Sequence, residues 1–433
     1  MGVIGIHRPV RLCNWLCRQG YSVKVFAGRH QWAPGGLNPD PSNLSLLDPR
    51  IEVSRIPSLH PIQRIIDARD RRRAGSGVAK AGDGPRATGA GSPRGGAPRS
   101  SFSRILDAVQ SLGSKPDRFS GWLLTALPPL LLELMSGRAR GIFVTGPPWT
   151  PLLVGALAAR ITGTPLFLDY RDPWNFNPYH RGESSRIMLA LEKWILKGAR
   201  TVFTNTGTMG ECYRSAFPGM ASKIIPVYNG IDAKTREDIA KLAAEHGGRS
   251  GERFTVSHIG TVYRNRMPAA LAALLADVAA RWTGGKEIRF RFLGTLEDKS
   301  VLESAFTARG CRHLLELAGQ VPAREARLEQ VRADVLLLLQ SGTALQLPAK
   351  IFEYAVAEKP ILCFAEPGSE TANLVEKYGL GGVLSGTESS DVVLASLMAL
   401  RDRAWDPDMR AGFFRDFDGD SQSRAMAEAI VGE

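Results

Sequence analysis

The chain has 433 residues, 44% hydrophobic and 23% charged, with 55 Lys and Arg against 43 Asp and Glu for a formal charge of +12. That length suits two domains, each with its own core, and the composition is that of a soluble globular protein rather than a fibrous or disordered one. The positive excess favours anionic partners such as phosphorylated substrates or acidic lipid surfaces. No nucleic-acid-binding motif accompanies it, so no nucleic-acid partner is expected.

The five cysteines (Cys13, Cys17, Cys212, Cys311, Cys363) are scattered and odd in number, and none has a convincing metal or disulfide spacing. They fit a reducing compartment. No signal peptide opens the chain and no run of about 18 uninterrupted apolar residues occurs, so a cytoplasmic location is expected. Phe119 to Met135 comes nearest, but Pro128-Pro129 and Glu133 break it. It reads as a buried or interfacial helix pair beside basic residues.

In chain order, GVIGIHRPVRLCNWLCRQGYSVKVFAG reads as a glycine loop, a helix from about Arg8 to Arg18, a turn at Gly20 and a strand from Val23 to Ala27. Gly2 and Gly5 allow close backbone approach to a ligand. His7 and Arg8 read as groups facing that ligand or as plain surface charge. Ile51 to Ile56 is a short strand. Residues 67–103 are rich in Gly, Ala, Pro, Ser and Arg and cannot bury enough apolar surface to offset ordering entropy. They read as a disordered basic insertion, a linker or a contact with an anionic membrane surface.

Order resumes near Phe102. A helical pattern around Trp122 leads to strand Gly141 to Thr145, helix Leu152 to Ile161 and strand Leu166 to Tyr170, which ends in Asp169-Tyr170-Arg171-Asp172-Pro173-Trp174. Charged residues at a strand end before a proline and a tryptophan read as functional, or as an ion pair that anchors the loop. A helix through Trp194, strand Arg200 to Asn205 and strand Ile224 to Tyr228 follow, closed by the turn Asn229-Gly230-Ile231-Asp232. A helical linker is expected over Asp238 to Arg253. Alternating strands and helices of this length predict doubly wound parallel sheets with binding crevices at strand ends.

The second half starts with a buried strand, Phe254 to Ile259, running into GTVYRNR. A glycine there lets the main chain near a phosphate, and an arginine beyond it can clamp one. Strands Ile288 to Leu293 and Leu315 to Ala318 follow. Then ADVLLLLQSGTALQLPAKIFEYAVAEKPILCF reads as strand, loop, helix, strand: Val335 to Leu339 is a buried strand, Leu347-Pro348 opens a helix, and Lys359-Pro360 stops it before Ile361 to Phe364. The start of that helix favours an anion. Lys350 would add a point charge for a diphosphate, and Glu353, three residues on, could accept two ribose hydroxyls. A solvated i,i+3 ion pair fits the same spacing. The loop Glu366 to Thr371, with Gly368, Ser369 and Glu370, could cradle a sugar or phosphate by its N–H groups, or be an ordinary strand-to-helix loop. Helices over Ser390 to Arg403 and Ser421 to Ile430 close the chain.

PxKxFEY followed by a helix stop and KPIL resembles the donor-site helix of the retaining GT-B glycosyltransferases of family 4, the "group 1" set. DYRDPW resembles the DxRDPW signature of polysaccharide-assembly members, and NGID resembles their domain-boundary turn. The resemblance implies two Rossmann-like domains facing across a cleft. The acceptor-binding domain would span 1–230 and the nucleotide-sugar domain 231–404, with 405–433 crossing back to the first. It implies that Glu353 holds the ribose, and that Arg266 and Lys350 hold the diphosphate beside Gly260, Thr261 and Arg264. It further implies that main chain near Val321 meets the base and that Arg171 and Asp172 act near the reaction centre. Gly5, His7 and Arg8 would lie on the acceptor side. In that family the glycine loop follows a first strand, which only Met1 precedes here, so a missing or replaced first strand is expected. The family's second glutamate, eight residues before Glu353, is Leu345 here.

The implied activity is metal-independent hexosyl transfer with retention, from a nucleotide-sugar (UDP-sugar by preference) to a saccharide or lipid-linked acceptor of a cell-envelope or exported polysaccharide. It needs no cofactor and would take place at the inner membrane face. Two alternatives stay open: a nucleotide-sugar epimerase of the same fold, and a non-catalytic scaffold of a polysaccharide assembly complex.

Overall fold

A computed structural model describes residues 6–29, 46–59, 115–117, 119–178, 186–246, 251–401, 403 and 405–432. The basic insertion read at 67–103 and the glycine positions Gly2 and Gly5 lie outside the described residues. The chain falls into two compact units, Met1–Gly2 with Ser22–Leu166, and Val3–Tyr21 with Phe167–Glu433.

In the first unit, β1 (Lys24–Gly28) and β2 (Glu52–Ile56) pair in parallel with Lys24 opposite Glu52. Among the described residues they pair only with each other, and β3 (Ile142–Gly146) belongs to a different sheet. Two helices follow the alternating pattern, α2 (Trp122–Met135) and α3 (Thr150–Thr162). Ile56, Trp122, Ala126 and Val154 form a small core between them and β2. Asp117 caps α3, accepting from the backbone N–H groups of Trp149 and Thr150 and from the Thr150 hydroxyl at 2.6 Å. The expected helix pair is instead one helix that runs through Pro128 and Pro129. Leu124 and Pro128 lie on its exposed face, while Thr125 and Pro129 are partly exposed, so the carbonyls left without their usual donors are on the side of the helix away from the core.

The second unit holds α1 (His7–Arg18), then β4 (Leu166–Tyr170), α4 (Arg186–Lys197), β5 (Thr201–Thr204), α5 (Gly207–Ala216) and β6 (Ile224–Pro226). Strands β4, β5 and β6 are parallel neighbours. The helix expected over Asp238 to Arg253 sits earlier, as α6 (Ala233–His246), because the Asp232 carboxylate caps it through Thr235 N–H and hydroxyl, both at 2.8 Å.

From there β7 (Arg253–Ile259), α7 (Ala269–Arg281), β8 (Glu287–Leu293), α8 (Lys299–Ala308), β9 (Leu315–Gly319), α9 (Ala323–Arg332), β10 (Val335–Leu339), α10 (Lys350–Ala357), β11 (Ile361–Phe364), α11 (Glu370–Lys377), β12 (Gly381–Leu384) and α12 (Ser390–Arg401) alternate. The six strands form one parallel sheet in the order β12-β11-β10-β7-β8-β9. Strand β10 shows why a continuous apolar run was needed. Val335, Leu337 and Leu339 enter the core on one face, while Leu336 and Leu338 enter the core on the other. The chain builds outward from β7 through β8 to β9, then returns to β10 and builds the other way. The crevice between the carboxyl ends of β7 and β10 is therefore a topological switch point.

The expected elements did not include α13 (Pro407–Asp416), whose Phe413, with Phe417, packs against Phe352 and Tyr378, while Phe414 lies under Arg236 and Arg410. The final helix, α14 (Gly419–Val431), packs on α1. The NGID turn is where this tail is tied down: Ile231 bridges to Asp418, and Gly230, at φ +60°, has the Phe417 carbonyl where a Cβ would need to be. Only glycine satisfies both conditions.

Candidate functional site

Helix α10 begins at Lys350 rather than at Leu347-Pro348, entered by a tight turn in which Ile351 N–H reaches the Pro348 carbonyl at 3.1 Å. The shift leaves Lys350 as the first helical residue, with Glu353 on the same first turn. The Lys350 ammonium is tucked against Gly260 at the end of β7, where φ is +119° and a Cβ would collide with Cε and Nζ of the lysine. The glycine is thus needed twice, for backbone conformation and for room. Burial, followed by the neighbouring charge of Arg266, lowers the lysine pKa to about 7, with Glu353 opposing. Glu353 accepts a 2.8 Å hydrogen bond from Gln330 Nε2 on α9.

Arg266 lies with its guanidinium 5.2 Å from the centre of the Tyr263 ring. Arg264 is exposed and turned toward Asp298, 3.7 Å away. Thr261 and Val321 are half-buried. Structure therefore gathers Gly260, Arg266, Lys350 and Glu353 at the switch point and sends Arg264 outward.

The second half of the site is held by contacts the sequence did not signal. Thr206 caps α5, and its hydroxyl donates to the Leu345 carbonyl at 2.7 Å. Glu370 Oε2 accepts from Thr208 N–H at 2.9 Å, and Oε1 accepts from the Tyr228 hydroxyl at 2.6 Å. That hydroxyl in turn accepts from Gly207 N–H at 3.1 Å. Glu370 is thus spent on binding the start of α5 to the start of α11, and Ser369 on capping α11 through Ala372 N–H. Gly368 is exposed with φ +75°.

After β4, the Asp172 carboxylate accepts from Gln346 Nε2 at 2.7 Å, and Asn205 Nδ2 donates to the Arg171 carbonyl at 3.1 Å. Burial disfavours the Arg171 charge, while Asp169 and Asp172 favour it. Arg8 is not at a ligand-facing surface: it is 3% exposed, with Nε 2.9 Å from Asp169 Oδ1 and a terminal nitrogen donating to the Val227 carbonyl at 2.5 Å. His7 is exposed. Below the loop, the buried Glu192 carboxylate accepts from Tyr213 at 2.7 Å and from Asn175 at 2.6 Å, and the Tyr213 hydroxyl accepts from Trp174 N–H at 3.0 Å. Burial pushes the Glu192 pKa up to about 7.

This clip sets a first expectation. Tyr213→Phe removes one donor to the buried Glu192 carboxylate and the acceptor of the Trp174 N–H, a loss of about 1–3 kcal/mol. An acid whose folded pKa lies above its unfolded value destabilises the fold as pH rises between the two. Tyr213→Phe raises that pKa further, so its melting-temperature deficit should be greater at pH 8 than at pH 6; an equal deficit at both would count against the clip.

Among the described residues, no group of three or more His, Cys, Asp or Glu is placed to hold a metal. Three Asp-x-Asp tripeptides, beginning at Asp406, Asp416 and Asp418, lie around the starts of α13 and α14. There Asp406 and Asp418 cap helices and Asp416 accepts from Tyr378.

A parallel six-stranded sheet with an anion-ready helix start at its switch point, beside a second set of parallel strands, defines the GT-B class of α/β protein. The glycosyl transferase 4-like domain matches residues 7–230, more than half of the chain, and the chain belongs to that family. Among solved structures it is similar to Anabaena HepE in complex with UDP (TM-score 0.58, 15% identity, covering 95% of this chain and 100% of that one). It is similar also to WaaG, a glycosyltransferase involved in lipopolysaccharide biosynthesis (0.55, 10%, 100% and 97%). A third is sucrose-phosphate synthase from Thermosynechococcus elongatus (0.53, 12%, 97% and 89%). These show the shared fold. No curated protein matches the sequence.

Proposed function

We propose that this chain moves a sugar from a UDP-sugar to a saccharide or lipid-linked acceptor, with retention at the anomeric carbon and without a metal or cofactor, in cell-envelope or exported-polysaccharide assembly. The observation that carries the reading is the pairing of Lys350 and Glu353 on the first turn of α10, at the switch point and beside Gly260. In this reading Lys350 and Arg266 take the leaving diphosphate, helped by the positive end of the α10 dipole, so that negative charge developing on the leaving group meets fixed positive charge. Glu353, oriented by Gln330, takes the ribose hydroxyls. Gln340 Oε1, Thr343 Oγ1 and Gln346 Oε1 are buried with no partner among the described residues, which supports a polar ligand over this loop. The HepE structure with UDP supports the choice of nucleotide.

The division into an acceptor domain over 1–230, a nucleotide-sugar domain over 231–404 and a returning C-terminal helix belongs to the same proposal, as do roles for Arg171 and Asp172 at the reaction centre. No helix of the described residues is long and apolar enough to cross a membrane. Contact with a membrane surface is supported by α2, whose exposed Leu124, Pro128, Leu132 and Met135 follow one face and lead to exposed Arg138 and Arg140.

UDP is expected to raise the melting temperature more than GDP or ADP, and Glu353→Ala to abolish the shift. Equal shifts for all three nucleotides, or none, would count against the donor reading. In parallel, wild type should sediment with vesicles containing phosphatidylglycerol and a Leu124→Ser, Leu132→Ser double variant should not; unchanged sedimentation would remove the surface role of α2.

A further inference from the structure

Strands β7 and β10 pair only as far as Ser257 opposite Leu336. One residue on, they diverge, and the side chain of His258 takes over from the backbone ladder. Its Nδ1 lies 3.0 Å from the Leu337 carbonyl, and its Nε2 lies 3.3 Å from Lys350 Nζ. The ring is 2% exposed and lies against Phe292, centroids 5.9 Å apart; the Thr261 main chain also hydrogen-bonds it and, like the Leu337 carbonyl, favours the protonated ring, against the larger effect of burial. A carbonyl can only accept, so Nδ1 carries the proton. In a neutral ring Nε2 is then an acceptor, and its partner is the lysine ammonium. The ring is kept neutral by burial first, and then by the charges of Lys350 and Arg266, which hold its pKa well below the ordinary value. The charged groups facing this pair are Arg266 from the turn after β7 and Glu353 from α10.

We infer that His258 is a positioning residue for donor binding: its Nε2 holds the Lys350 ammonium against Gly260, aimed at the switch-point crevice, while its Nδ1–H closes the gap where β7 and β10 part. Resting on the reading of Lys350 as a diphosphate cation, the inference adds a residue that makes no ligand contact of its own. A neutral acceptor is what this place requires. A carboxylate would neutralise the lysine and leave less charge for the diphosphate. An apolar residue would leave Nζ without a partner and free to adopt other rotamers.

The test uses two side chains that each keep half of the imidazole. Asparagine reaches about as far as Nδ1 and retains a donor for the Leu337 carbonyl, but offers nothing to Lys350. Glutamine reaches about as far as Nε2 and retains an acceptor for Lys350. UDP affinity is measured by calorimetry from pH 6 to pH 9 for wild type, His258→Asn, His258→Gln and Lys350→Met, with urea unfolding of each variant to establish that it folds. Wild-type affinity should fall as pH rises through the lysine pKa. His258→Asn should bind UDP about tenfold more weakly, the cost of one hydrogen bond to a charged group. Its pH midpoint should move down, because a cation that loses its acceptor gives up its proton more easily. His258→Gln should stay within about threefold of wild type with its midpoint unmoved. The ionisation of UDP itself is common to every titration and cancels in the comparison. If Lys350→Met weakens binding while His258→Asn matches wild type, or weakens without a moved midpoint, the positioning role is wrong and the diphosphate reading survives. If Lys350→Met binds UDP as tightly as wild type, the diphosphate reading fails and the role of His258 falls with it.

Discussion

Lys350→Met should lower kcat/KM for transfer from a UDP-sugar by about 100-fold or more, the effect of removing one fixed donor from a charge-developing site. The folded protein should lose little or no stability. In the ligand-free protein this lysine is held among Arg266 and a buried imidazole, and burial lowers its pKa to about 7. A base whose folded pKa lies below its unfolded value binds fewer protons when folded, so stability rises with pH from about 7 to the unfolded value of about 10.4. Lys350→Met should lack that rise. Arginine is not expected to rescue activity. The ammonium sits where Gly260 leaves room for want of a Cβ, and a planar guanidinium is too broad for that gap. A Lys350→Met enzyme with wild-type turnover would mean that the start of α10 is not where the leaving group is held.

Asp169→Ala should cost about 3–5 kcal/mol of stability, the penalty for stranding one member of a buried ion pair. Asp169 is 0% exposed, at the core of β4, and Arg8 reaches it from α1 at 2.8 and 2.9 Å while also donating to the end of the β6 segment at Val227. Three elements therefore share one guanidinium. Arg8→Ala should cost a similar amount, and the double variant much less than the sum, since each single change already removes the pair. Urea unfolding of the three variants measures this; a loss below about 1 kcal/mol for either single variant would show that water reaches the pair and screens it. The same measurement bears on DYRDPW, because Asp169 is its first residue. In the structure the motif divides its labour: Asp169 is structural, Trp174 is clipped to Tyr213 (as Asn175 just beyond it is to Glu192), the Arg171 carbonyl accepts from Asn205, and Asp172 accepts from Gln346.

The alternation of strand and helix was legible wherever apolar runs were continuous. Leu166 to Tyr170, Val335 to Leu339 and Ile361 to Phe364 have the bounds read from the sequence, since a strand buried on both faces has no solvent-facing residue to blur its ends. Helix α13 was legible in principle, with Asp406 as N-cap, Pro407 in the first turn and Met409, Phe413 and Phe417 four residues apart; what the sequence does not show is the aromatic cluster with Tyr378 and Phe352 that it packs into. The helix pair expected at Pro128-Pro129 is one continuous helix, with Pro128 exposed and Pro129 partly so.

The site separates along the same line. The chain alone determined that a helix bearing Lys350 and Glu353 follows a buried strand, and that a glycine and Arg266 follow another, because local spacing sets which side chains share a helical turn or a strand end. Only the tertiary structure decided which of the remaining polar residues are taken up by the fold. Arg8 and Glu370 have the same chemistry as ligand-binding groups but are committed to Asp169 and to the start of α5. His258, lost in an apolar strand in the sequence, stands beside Lys350 because β7 and β10 part there. A polar side chain's role depends on which partners, distant in sequence, meet it first, and that is set by how the strands are ordered in the sheet.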